Sequence, residues 1–332
     1  MSLVNLNTKS SVPKYRQIVS SIEEAILAGN LKKGDQLPSL NSVKNRHSVS
    51  RDTVLVAFNE LKNRGIITSR AGKGYFVSSE EVAIAQKIFV LFDELNAFKE
   101  DLYNSIIQSF GDHIQIDVYF HHFNEKIFSQ IIHENLGDYS YYVIMPANLK
   151  NTEVALAELQ QDKVFMLDQV HPEHANFPAV YQNFEKDVFE GLFQLKNKIK
   201  VYKKFNLIYS ENKQPKGILD GFLKFCTTAK VPYQILNTFE AESIQKNEAY
   251  FVLEDKPLIQ IIKQMKANEF EFVKDIGMIS YNDSLLKEVI EGGITTISTD
   301  FKLMGKQLAE MIKNNTPRRI ANTSQLRLRK SI

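Results

Sequence analysis

The chain has 332 residues, 43% hydrophobic and 24% charged, which suits about two domains with packed cores and excludes wholesale disorder. A single cysteine, Cys226, excludes an internal disulfide and a Cys-based zinc site, and no run approaches the roughly 18 apolar residues of a membrane span. The net charge of +2 hides an asymmetry: residues 1–78 hold 12 Lys/Arg against 5 Asp/Glu, and the rest holds 29 against 34, so a basic head precedes a mildly acidic body.

Met1–Ser11 lacks the apolar core of a secretory signal, so a reducing cytoplasm is the expected compartment. From Lys14 to Ala28 the apolar residues Tyr15, Ile18, Val19, Ile22, Ala25 and Ile26 recur at three or four, the pattern of an amphipathic helix that closes at Gly29. Ser39 is placed to cap a second helix from Leu40 to about His47, and Ser50 a third over Arg51–Gly65 with Val54, Ala57, Phe58 and Leu61 inward. Ile66–Ser69 and Tyr75–Val77 read as short strands around Arg70-Ala71-Gly72-Lys73-Gly74. Three helices and a glycine-tipped hairpin describe a winged helix-turn-helix.

Those residues carry a resemblance. Pro13-x-Tyr15-x-Gln17-Ile18, Gly29-x-Leu31-x-x-Gly34-Asp35-x-Leu37-Pro38-Ser39, Val49-Ser50-Arg51-x-Thr53-Val54-x-x-Ala57 and Gly65-Ile66…Gly72-x-Gly74-x-Phe76-Val77 are similar to the GntR family of bacterial transcription regulators, over about 65 residues. The resemblance implies that Arg51 reads base edges in the major groove and that Ser50 and Thr53 meet phosphates. It implies too that Gly72 and Gly74 let the wing approach DNA, with Lys73 supplying charge; Ser39 and Arg70 join this face. Ser50 serves equally as a plain helix cap, and Arg70 and Lys73 as solvated hairpin charges. Many relatives carry Glu-Arg where this chain has Leu40-Asn41, and an arginine where it has Leu55; Lys44, Arg46 and His47 lie nearby to substitute.

A linker is expected at 78–86, leaving 87–332 as the second domain. Candidate strands at 88–92, 114–120, 142–145, 164–167, 179–182, 205–210, 233–236, 249–253 and 277–281 alternate with candidate helices at 98–110, 126–135, 151–159, 186–196, 217–228, 257–267 and 304–314. Such alternation implies α/β architecture with parallel sheets covered by helices, in two lobes. The basic C-terminal run Arg318-Arg319 and Arg327-Leu328-Arg329-Lys330 alternates like an edge strand, or is a solvated tail.

The strings Tyr142-Val143-Ile144-Met145-Pro146, Lys216-Gly217-x-x-Asp220-Gly221-Phe222, Asp275 to Asp283 and Thr295 to Gly305 resemble the sugar-sensing domain of LacI repressors, itself like periplasmic sugar-binding proteins. The resemblance implies a ligand at the carboxyl ends of the strands, between the lobes. Mapped onto this chain, it offers Asp93, Asp168, Asn183, Glu254 and Asn282 as polar contacts, Phe98 as an aromatic over the ligand, and Lys216 near a position where relatives place an arginine. His121 and His122 lie just past a strand, and His121 joins the candidates for facing the cleft. Asp93, Asn183 and Asn282 also suit turns or caps, and Phe98 suits core. Glu254 and Asn282 depart from the Asn and Asp usual there. Adjacent His121 and His122 point to opposite faces of a strand, so no metal site is expected.

No catalytic motif is visible, so no enzyme and no cofactor are expected. The expectation is a bacterial repressor, acting as a homodimer on a two-fold operator in double-stranded DNA and controlled by an unphosphorylated monosaccharide. A non-sugar metabolite, or a body that only dimerises, is the alternative.

Overall fold

The computed structural model describes residues 3–7, 12–82, 86–111, 114–239 and 244–332. The expected linker at 78–86 is therefore described only at 78–82 and 86, and Met1, Ser2 and residues 8–11 of the N-terminal segment lie outside the described residues. The chain divides into two compact units: residues 1–92, 110–144 and 151–165, and residues 93–109, 145–150 and 166–332.

The first unit opens with helices α1 (Lys14–Leu27), α2 (Leu40–His47) and α3 (Arg51–Asn63) and strands β1 (Ile67–Arg70) and β2 (Gly74–Val77). Local chemistry sets these ends. Ser39 and Ser50 each accept a backbone N–H three residues on, from Ser42 at 3.1 Å and Thr53 at 3.0 Å, which satisfies donors that the first turn leaves orphaned. Between α2 and α3, Ser48 turns the chain at a φ of 51° and Val49 is buried. The periodic apolar faces close on one core that includes Ile18, Ile22, Val43, Val54, Phe58, Leu61 and Ile67. Val4 joins that core, held by Asn5 N–H on Ser21 Oγ at 3.1 Å; nothing in the periodicity of the sequence assigns residues 3–7 a packing role. β1 and β2 pair antiparallel, Ile67 opposite Val77, as the wing hairpin.

The same unit continues with β3 (Gln86–Phe92), β4 (Ile114–Phe120), α5 (Glu125–Glu134), β5 (Tyr141–Ile144) and α6 (Thr152–Leu156); α4 (Ala97–Phe110) lies almost wholly in the second unit. β3 runs parallel to both β4 and β5, with Ile88 opposite Ile116 and Tyr141. β6 (Val164–Asp168) and β7 (Ala179–Tyr181) follow, then α7 (Phe184–Gln194), α8 (Lys196–Ile199), β8 (Lys204–Ile208), α9 (Lys216–Ala229), β9 (Tyr233–Leu236), β10 (Glu248–Val252), α10 (Asp255–Ala267), β11 (Ile276–Tyr281), α11 (Leu285–Val289), β12 (Thr295–Thr299), α12 (Phe301–Lys313), β13 (Arg319–Ala321) and β14 (Ser324–Arg327).

One sheet has the order β13-β7-β6-β5-β3-β4 and the other β14-β12-β11-β10-β8-β9. β3 pairs parallel with β4 and β5, β7 with β6 and β13, β8 with β9 and β10, and β11 with β10 and β12, whereas β14 pairs antiparallel with β12. In the second sheet the strand period of two is visible in the packing. Ala249 and Phe251 join the core with Phe205, Phe222 and Phe225, while Tyr250 and Val252 join the opposite core with Leu258, Ile261 and Met265. Both faces are covered, which is why these strands read as continuous apolar runs.

The C-terminal run is ordered edge strand. Arg327 and Arg329 converge on Asp283, at 2.5 and 2.7 Å, pinning β14 beside β12. The strand Thr295–Thr299 escapes the pattern of candidate strands because four of its five residues are Thr or Ser. Each nevertheless buries its side chain.

Candidate functional site

On the head, the residues expected to face DNA share the solvent side. Lys44, Arg46, Ser50, Arg51, Arg70, Gly72, Lys73 and Gly74 are exposed and Thr53 is half-buried. Ser50 and Ser39 are occupied as caps in this state, and Ser50 Oγ also pairs with Thr53 Oγ1 at 2.8 Å. The wing tip is shaped by Gly72 and Gly74 at φ values of 69° and 102°, conformations that cost an L side chain strain. It is pinned by Gln36, which sequence reasoning missed: its Nε2 donates to Lys73 O at 2.6 Å. Arg70 lies over the Phe76 ring at 4.4 Å, so its guanidinium is partly committed to the hairpin.

In the second unit the chain gathers a buried polar cluster. Lys99 Nζ lies 3.0 Å from Asp168 Oδ2 and 3.3 Å from Asp93 Oδ1, and against Met145 Sδ. The Lys99 side chain is only 3% exposed. Burial opposes its charge, but Asp168 and then Asp93 outweigh that and hold the ammonium above its ordinary range. Asp168 in turn accepts from Gln182 Nε2, and Gln182 Oε1 accepts from the Tyr281 hydroxyl at 2.9 Å. Asp168 ends β6 at a φ of 71°, a left-handed conformation rare for a non-glycine residue and worth a functional question. One lysine and two carboxylates leave the cluster acidic.

Close to Tyr281, Asp187 on α7 feels burial and then Glu190, and its carboxyl is pushed up to about 6. Among the described residues its Oδ2 makes no hydrogen bond.

A second polar chain runs through the same unit. Gln169 Nε2 donates to Asn148 Oδ1 at 2.6 Å, Asn148 Nδ2 to Gln214 O at 2.6 Å, and Gln214 Nε2 to Glu254 Oε1 at 2.7 Å. These amides follow the carboxyl ends of β5, β6 and β8, with Glu254 after β10.

Of the expected ligand residues, Asp93 and Asp168 are thus brought together, joined by Lys99, while Glu254 belongs to the amide chain. Phe98 stacks on Phe301 at a centroid separation of 5.2 Å. Asn282 follows Tyr281 at a φ of 56°; its Oδ1 is buried, with no hydrogen bond among the described residues. Asn183 is an exposed N-cap of α7, accepting from Lys186 N–H at 3.3 Å. Lys216 is 79% exposed and paired with Asp220, 2.6 Å away and one turn on. His121 belongs to the first unit, buried edge-on against Phe128 with ring centroids 5.5 Å apart.

Lys99, Gln182, Tyr281, Asn148 and Gln214 were not read from the sequence. A signal existed for Lys99, which occupies the apolar register of α4 with Leu102 and Ile106. Among the described residues, no group of three or more His, Cys, Asp or Glu is placed to hold a metal ion. No helix among them is long and apolar enough to cross a membrane.

Comparison with known proteins bears on both parts. The family described as bacterial regulatory proteins, gntR family, matches residues 14–77. The HTH-type transcriptional repressor YtrA of Bacillus subtilis (strain 168) is 30% identical over 107 residues, 32% of this chain and 78% of that protein. The arabinose metabolism transcriptional repressor of Geobacillus stearothermophilus is 21% identical over an alignment covering 92% of this chain and 91% of that protein. The trehalose repressor from Escherichia coli superposes with a TM-score of 0.62 at 13% identity, covering 73% of this chain and 99% of that one. The body therefore has the fold of that repressor.

Proposed function

Because the chain belongs to the gntR family of bacterial regulatory proteins, and so is a DNA-binding transcription regulator, we propose that it is a repressor whose operator affinity is set by an uncharged monosaccharide. The head reads DNA through the N-terminal turn of α3, with Arg51 donating to guanine and Ser50 and Thr53 close to phosphate. Lys44, Arg46, Arg70 and Lys73 supply sequence-independent attraction. The protein works as a homodimer, so that two heads meet the half-sites of a two-fold operator.

The observation that carries the sugar reading is the buried cluster in which Lys99 of α4 joins Asp93 and Asp168, with Gln182 and Tyr281 beyond Asp168, at the ends of four strands. Burying a charged triad is costly, and apolar packing would stabilise the same space at least as well. Carboxylate and amide oxygens in fixed positions are what sugar hydroxyls donate to, and a cluster with acidic balance disfavours a phosphate. The name of the arabinose repressor puts that monosaccharide first among the compounds to try.

Control follows by linkage: a sugar that favours one state of the body weakens operator binding, and the operator weakens sugar binding by the same factor. Thermal unfolding against monosaccharides and their phosphates tests the ligand, since a ligand at 100 times its Kd adds about 2.7 kcal/mol. The reading fails if no neutral sugar shifts the transition, or if a sugar that does leaves operator affinity unchanged.

A further inference from the structure

The helix that presents Ser50 and Arg51 at one end is anchored at its other end to the sheet of the first unit. Lys62 Nζ lies 3.0 Å from Asp138 Oδ1, both partly exposed. Ser140 Oγ donates to Asn63 O at 3.1 Å. Gly65, at a φ of 71°, lies directly on the Lys87 stem, where an added Cβ would meet Cδ at 2.9 Å. The seat is itself built into the sheet. Ser140 N–H donates to Lys87 O at 2.8 Å, and Lys87 Nζ reaches Asp117 on β4 at 2.9 Å while lying 4.5 Å over the Tyr139 ring.

The chain leaving the wing is held at the same place. Ser78 and Ser79 N–H both donate to Ile66 O, at 2.9 and 3.2 Å, and Ser78 Oγ donates to Gly65 O at 2.5 Å. Arg64 donates to Val82 O at 3.0 Å and pairs with Glu23 on α1. A freely swinging tether would make none of these bonds. Meanwhile Arg51, Lys73 and the wing tip stay exposed, so the docked head keeps its reading face open.

We infer that Lys87, Asp138 and Ser140 form a docking seat for the chain's own head. The 13 residues of α3, a rod of about 20 Å, carry shifts of that sheet to the DNA-reading residues. Docking positions the head without hiding it. This rests on the DNA-reading role proposed above.

The test uses the full chain with Lys62→Cys and Asp138→Cys. The single native thiol, Cys226, is buried and pushed up to about 12 by that burial, so it stays silent. A short bismaleimide should join the two introduced cysteines within one chain under native conditions and not in denaturant. The cross-linked protein should bind a duplex, selected from random sequence by the uncross-linked form, within about threefold of that form. In parallel, Asp138→Lys should speed cleavage by a glutamate-specific protease after Glu80 and Glu81 by about two- to fivefold, the range for a partly exposed ion pair. Adding Lys62→Glu should restore the slow rate. Absence of the native cross-link, no change in cleavage, or a cross-linked protein that has lost the duplex would each overturn the inference. If the cysteine pair cross-links under native conditions but the uncross-linked form selects no duplex from random sequence, the docking stands and the DNA-reading role falls.

Discussion

Replacing Lys99 by methionine removes the one cation between two carboxylates and keeps the volume of the stem. At 3.0 and 3.3 Å, each contact is worth about 5 kcal/mol of gross attraction at an effective dielectric constant near 20. Desolvating the three ions offsets most of this, at several kcal/mol each. The net value of the intact cluster is therefore small, but the substitution leaves Asp93 and Asp168 facing each other, buried and uncompensated. Breaking a buried pair in this way costs about 3–5 kcal/mol. For a body of this size that is a fall of the order of 10 °C in its melting transition, read by differential scanning calorimetry. The triple variant Lys99→Met, Asp93→Asn, Asp168→Asn should recover most of the loss, because it removes the charges together. A Lys99→Met protein within 1 kcal/mol of wild type would refute the reasoning, as would a triple variant no better than the single one; the cluster would then not be the desolvated triad that its geometry describes.

Three further outcomes are expected of the same structure. Asp187, pushed up to about 6 by burial and Glu190, has a folded pKa above its unfolded value, so the stability it contributes is present below about pH 4 and lost as pH rises through 6. Asp187→Asn should therefore stabilise the protein near pH 7.5, by about 1 kcal/mol after discounting for its partial exposure, and do nothing at pH 4; equal effects at both values in urea titrations would sink this. At Asp283, burial raises and the bonds from Arg329 and Thr296 lower the pKa, with a net depression. Its contribution is present above about pH 4 and lost as pH falls through the depressed value, so Arg329→Ala should expose the C-terminal strand to trypsin after Arg327 at pH 7.5, whereas an unchanged cleavage rate would mean that backbone pairing with β12 alone holds it. Arg51→Ala should cost about 1–3 kcal/mol of specific duplex binding, measured by fluorescence anisotropy, and flatten discrimination at one base position; retention of full discrimination would remove Arg51 from the reading role.

How legible each part was depends on how local its determinants are. In the head, Ser39 and Ser50 cap helices through bonds spanning three residues, and the inward faces repeat every three or four. All of this is contained in a short stretch of chain, so three helices and a hairpin could be read directly. In the body, strands such as Val164–Asp168 and Ile276–Tyr281 announced themselves as apolar runs, because burial along their whole length demands it. Thr295–Thr299 did not, since its Thr and Ser side chains are buried by the strands and chain segments around them, and nothing local records that. The short pieces β13 and β14 were readable as an edge, but which sheet each joins depends on partners more than 100 residues away in one case and on Asp283 in the other.

The buried polar cluster shows the same division. The residue types and the strand ends determined that Asp93 and Asp168 were candidates, because acidic residues after apolar runs stand where parallel strands stop. Only the tertiary structure decided that they share Lys99, that Gln182 and Tyr281 extend the chain of polar groups, and that Asn183 and Lys216 are occupied by capping and by a one-turn ion pair. A sequence specifies side-chain chemistry and local geometry, whereas the protonation, pairing and burial of a charge are set by neighbours brought together through space. The union of α3 with the body's first sheet is of the second kind: Lys62 and Asp138 are 76 positions apart, and only folding makes them one contact.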